Sequence, residues 1–198
     1  MNSTEQPPLI PYPPAPDGYR PPYQFRYPMR ALSIASLGIL VLATIGFSVL
    51  MVRLQGIPFS QITTRSLPEV LVLLVIAVLT IFVHELLHGV VYQVLGYKVS
   101  YGFAAQLGAA YAAVFNQLQQ RNHNLIAAVM PLLVITAVGV PLLAVPNPFI
   151  AMCAFVVLLV NTSGAVGDMY IIFHLFRLPP RTLMMDLALD TMLVYQPL

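Results

Sequence analysis

The residues His84-Glu85-Leu86-Leu87-His88 combine types and a spacing that can assemble a reaction centre. On a helix, positions four apart lie about 40° from one another, so both imidazoles project from one face and can share a tetrahedral zinc ion. Zinc lowers the pKa of a water toward 7, and a neighbouring glutamate takes the released proton as the hydroxide attacks a carbonyl. Glu85 is thus the candidate base, and His84 and His88 are candidate metal ligands. The motif ends the apolar run VLVLLVIAVLTIFV, where each ionisable group costs roughly 2.5–3.5 kcal/mol near a bilayer centre. Histidines that only bridge helices by hydrogen bonds would not need the glutamate between them.

A catalytic zinc takes three protein ligands and keeps one open position. Asp168, in NTSGAVGDMYIIF, is the acid of the last apolar run and the candidate third ligand. If both helices enter from one membrane face, at Pro68 and Phe149, the histidines lie 16 and 20 residues in and Asp168 lies 19 in. At 1.5 Å per residue these depths agree within about one helical turn. Asn161 is seven residues before Asp168 and shares its face, which makes it a candidate to orient substrate or to donate to a developing oxyanion. Gly164, on the same face, permits close helix approach. Tyr111 is a candidate substrate contact on the loop between the second and third runs. His174 falls on another face, and His123 sits at the mouth of the third run, where a solvated interfacial histidine is expected. Glu69 is too far along its helix from His84 to share a metal.

Mean hydropathy of +0.82 and 8% charged residues, against about 25% in soluble domains, point to an all-α polytopic membrane protein. Four spans of about 20 apolar residues are expected, over 31–52, 70–97, 124–145 and 149–176, with Pro131 and Pro141 as kinks in the third. The first starts too late and runs too long for a cleaved signal peptide and reads as an uncleaved anchor. Residues 1–30 hold nine of the 18 prolines, which predicts a disordered, extended tail that can serve as a partner's ligand. Residues 177–198 read as a C-terminal tail. Between spans two and three, YKVSYGFAAQLGAAYAAVFNQLQQ alternates apolar residues on either side of a Leu107-Gly108 turn, which predicts a β-hairpin or re-entrant loop. Backbone at membrane depth must be covered by protein or line a wet cavity, so the hairpin belongs beside a site.

Arg20, Arg26, Arg30, Lys98, Arg121, Arg177 and Arg181 would lie on one membrane side, with Arg53 and Arg65 on the other. That bias puts both termini in the cytoplasm and the chain in the plasma membrane. A net charge of +2 without a basic stripe excludes nucleic-acid binding. The single cysteine, Cys153, excludes a disulfide framework or a thiolate metal site and reads as a buried apolar group.

HELLH late in a span, AAYAAVF in the following loop, AAVMPLL at the next span and SGAVGD in the last resemble the bacterial membrane family described as putative zincin peptidases. The resemblance covers roughly 69–179, and that family is in turn similar to the site-2-type intramembrane metalloproteases. It implies zinc held by His84, His88 and Asp168, Glu85 as catalytic base, and a membrane-embedded metalloprotease-like domain over 31–198. In site-2 proteases the aspartate lies in Asn-Pro-Asp-Gly, and a hairpin presents an edge strand to the substrate. Here the aspartate follows glycine. The leading expectation is a membrane zinc protease acting on peptide bonds of membrane or membrane-proximal proteins. The alternative is a non-enzymatic metal sensor or scaffold. A transporter finds little support in four spans without an internal repeat.

Overall fold

The computed structural model describes residues 13–58, 66–105 and 109–198. The first twelve residues, Arg65 and the expected Leu107-Gly108 turn lie outside them. Five helices form the body: α1 Met29–Gln55, α2 Leu67–Val94, α3 Arg121–Leu142, α4 Pro148–Gly164 and α5 Val166–Phe176. The first three are each long and apolar enough to cross a membrane, and α4 with α5 makes a fourth candidate span, bent by 44°. Their ends follow local chemistry. Ser66 and Glu69 close a capping box at the start of α2, which gives Glu69 a role far from any metal. Gly56, at φ 68°, ends α1 in a left-handed turn, and Asn147 caps α4.

Apolar residues surround α1 and α2 on all sides, and large ones such as Ile34 (74% exposed) and Leu37 (64%) face outward. In water such surface would be unstable; in lipid it is solvated. Helix α4 packs against α1, α2 and α3. It buries Ala151, Ala154, Phe155 and Leu158, and one end of the bundle closes around them with Met51 and Leu143.

The fourth span was expected as one helix and is two. Ala165 stands between them with ψ near 7°, and the glycines of SGAVG flank the break. Glycine weakens helix continuity by roughly 1 kcal/mol per residue, so the bend falls where the chain is least committed. Asp168 consequently occupies the first turn of α5. The exposed N–H groups and dipole of a helix start favour a carboxylate there.

The all-α expectation is also corrected. An antiparallel sheet in the order β1-β6-β5-β4 closes the other end of the bundle, built from β1 Tyr23–Arg26, β4 Gln119–Gln120, β5 Leu183–Ala188 and β6 Thr191–Tyr195. Residues assigned by sequence to two tails supply three of its strands. TLMMDLALDTMLVY carries the signal, two β-prone runs around a short polar turn, masked by its position after the last span. Strand β6 is buried throughout, and β1 pairs along its edge from Tyr23↔Val194 to Arg26↔Thr191. The tail thereby covers backbone that would otherwise be an open edge. One sheet face packs Met184, Met192 and Val194 on Ala128, Ile171 and Leu175 of α3 and α5, and the other packs Leu193 and Tyr195 under Ala15 and Tyr19. The expected hairpin does form, as β2 Ser100–Ala104 paired with β3 Ala109–Ala113.

Leu193→Ala, which empties a fully buried site, should cost about 2–5 kcal/mol. Ile34→Ala, on the outward face, should change stability little. Thermal unfolding of both variants in one detergent separates the protein core from lipid-facing surface.

Candidate metal centre

His84 and His88 are buried on the inner face of α2, one turn apart. Their partners come from three other helices. Asn161 of α4 accepts from His84 Nδ1 at 2.9 Å, and the Ala127 carbonyl of α3 accepts from His88 Nδ1 at 2.8 Å. A carbonyl oxygen only accepts, so each Nδ1 carries a proton and Nε2 is the nitrogen left to serve as a metal donor. Both Nε2 atoms face Asp168, with His84 Nε2 3.0 Å from Oδ2 and His88 Nε2 3.4 Å from Oδ1.

An imidazole nitrogen and a carboxylate oxygen held this close share a cation, either a proton or a metal ion. The donor set, two imidazole nitrogens and a carboxylate with both outer nitrogens anchored, is the set that suits zinc. Ligand atoms from His84, Glu85 and His88 also lie within 4.8 Å of one another. The residues therefore fit a zinc ion.

Glu85 is oriented from outside the bundle. The Ala112 N–H of β3 donates to its Oε2 at 3.0 Å. The hairpin can come this close because residue 89 is glycine: a Cβ there would collide with the Tyr101 ring of β2. Within the hairpin Tyr111 lies over Gly102, where any side chain would displace it. The HELLHG sequence thus carries both the donors and the notch into which the hairpin seats.

A cavity of about 550 Å³ opens on the centre. Glu85, His88 and Asp168 line it, with β3 from Ala109 to Ala113 on one side and Met184, Asp186 and Met192 of the sheet on another. Tyr111 is in its wall, where a substrate contact was expected. Asn161 is 1% exposed and lies behind His84, its amide N–H directed at Thr136. The expected role at substrate or oxyanion gives way to positioning of an imidazole, because the helix bend turns Asp168 and Asn161 to opposite edges of one ring. His174 stacks on Phe25 at 4.2 Å, and His123 bonds the Tyr97 hydroxyl, so neither joins the donor set.

Two residues of the cavity wall went unnoticed in the sequence. Tyr92, one turn beyond His88, donates to Asn124 at 2.6 Å; an i+4 extension of the histidine face would have found it. Asp186 was hidden in the supposed tail. Its side chain accepts from the Gln119 amide at 2.9 Å, and burial pushes its carboxyl up to about 6.

The family model described as "Putative zincin peptidase" matches residues 77–183, more than half of the chain. That stretch runs from α2 through the hairpin, α3, α4 and α5 to the start of β5. No curated protein and no solved structure matches significantly.

Purified protein should carry about one zinc per chain, and Asp168→Ala should lose it on dialysis. Asn161→Leu should weaken zinc affinity by about 10–100-fold by releasing the His84 ring, as measured by competition with a chelating dye. The raised Asp186 carboxyl makes a separate prediction. Between about pH 4 and 6 the folded chain binds more protons than the unfolded one, so stability falls as pH rises, by about 3 kcal/mol at most. Asp186→Asn should flatten that slope in detergent unfolding curves.

Proposed function

The chain belongs to the putative zincin peptidase family, and from that premise we propose that it is a membrane-embedded zinc peptidase that hydrolyses peptide bonds within or beside the bilayer. The observation that carries the reading is that two imidazole Nε2 atoms and one carboxylate converge on the cavity where Glu85 waits. A structural zinc staple would need no carboxylate held in reserve.

Zinc bound there supplies Lewis acidity, lowering the pKa of water and polarising a carbonyl. The chain's own residues do the rest. Glu85, fixed by the Ala112 N–H, takes a proton from the attacking water and returns it to the leaving amine. Strand β3 positions the peptide. In an antiparallel pair, alternate residues turn their N–H and C=O groups away from the partner strand. Since Ala112 turns toward Glu85, Ala110 turns the same way, leaving the outer edge of β3 for an extended substrate. A helical substrate must unwind first, because a helix shields its own carbonyls.

This edge beside a HExxH helix is the feature shared with site-2-type proteases, and it supports a hairpin re-entering the membrane next to the centre. The bias of basic residues supports cytoplasmic termini and a cavity near the cytoplasmic side of the plasma membrane. The substrate class is membrane or membrane-proximal protein.

Glu85→Gln should retain zinc while cleavage falls by at least about 10²-fold. Measured in cells as membrane proteins that accumulate uncleaved, the effect distinguishes a peptidase from a metal sensor or scaffold, which needs the histidines and not the glutamate. Full activity of Glu85→Gln would overturn the peptidase reading.

A further inference from the structure

Asp186 lines the same cavity as Glu85, and nothing in the proposed hydrolysis uses it. Its side-chain partner among the described residues is a neutral amide, Gln119, and no ion pair forms on it there. Gln119 is completely buried and donates to both the Val114 carbonyl and Asp186 Oδ2, which fixes its amide and holds the carboxylate in place. An acid retained without a cation in a mostly apolar wall is costly, since the charge is removed from water without a countercharge. Its setting has further structure. Met192, its partner on β6, lines the cavity too, as do Met184, Tyr27 and Leu189, and such side chains suit the aliphatic stem of a long basic residue.

The backbone indicates where along a substrate such a side chain would sit. Beyond β3 the chain bridges to β5 at Phe115↔Asp186, and the Asn116 N–H donates to the Asp186 carbonyl at 3.0 Å. Asp186 therefore lies opposite Phe115, three residues past Ala112, the residue that reaches Glu85. Three residues of extended chain reach at most about 10 Å. A peptide laid on the outer edge of β3 beside Glu85 runs toward β5, where Asp186 lines the end of the same cavity.

We propose that Asp186 is the specificity-determining carboxylate of this cavity, and that it takes a lysine or arginine side chain about three residues from the scissile bond. The inference rests on the peptidase reading for the word scissile; the cation subsite itself does not need turnover. It narrows the substrate class to peptides with a basic residue near the cleavage point. Membrane proteins concentrate such residues at the cytoplasmic ends of their spans.

Binding tests this independently of catalysis. Fluorescent peptides that differ only in lysine or norleucine, placed in turn at each position of an otherwise apolar sequence, are titrated into the full-length, zinc-loaded Glu85→Gln protein in nanodiscs. At one position the lysine peptide should bind at least 10-fold more tightly. Adding Asp186→Asn should bring that ratio to about 1, and Asp186→Lys should instead favour a glutamate peptide over lysine. A ratio near 1 at every position in the zinc-loaded, Asp186-containing protein overturns the proposal without any substitution at Asp186 having to fold. So does a ratio that survives Asp186→Asn. If the ratio holds and the protein with Glu85 intact cleaves none of these peptides or any cellular membrane protein, the cation subsite stands and the peptidase reading falls.

Discussion

The contact between Asp168 and the two imidazoles ties the architecture together. It joins the first turn of α5 to the inner face of α2, and the tautomers it requires are set by acceptors on α3 and α4. Four helices thus meet at one group of atoms. In an apolar medium the hydrophobic effect supplies no preference for one helix pairing over another, since lipid tails are as apolar as leucine. Polar groups that must satisfy one another then select the arrangement. The break at Ala165 belongs to the same constraint, because it brings a helix N-terminus, and with it Asp168, to the face of the histidines.

Around that centre the protein uses small residues to admit large neighbours. Gly89 admits Tyr101 and Gly102 admits Tyr111, so a hairpin with little core of its own rests on α2 and presents its backbone to the cavity. One N–H of that hairpin orients the candidate base. The sheet at the end of the bundle closes the cavity from the other side, and the N-terminal segment lends the C-terminal hairpin its edge strand β1. The proline-rich segment thereby contributes to the wall of the site through Tyr27 and through the edge it covers.

Much of the centre was legible without coordinates. HExxH is a local pattern, and helical geometry alone puts its two histidines on one side. Asp168 was reachable by counting residues from the membrane surface, because span lengths are set by bilayer thickness and rise per residue is constant. Asn161 was found by the same face argument, and its side chain meets the Nδ1 edge of His84. Whether an amide faces a cavity or the back of an imidazole depends on a bend that spacing does not encode.

Sequence by itself pointed to the membrane class, the four apolar runs, the candidate ligand pair and the candidate base, because each follows from periodicity or from residue type. Tertiary structure decided what those residues do together: which nitrogen of each imidazole is free, which backbone N–H holds Glu85, and which acid shares the cavity. Those are contacts between segments far apart in the chain, such as Phe115 with Asp186 and Phe25 with Met192. Strand pairing of that kind depends on which partner closes an edge, and no local pattern in either segment names the other.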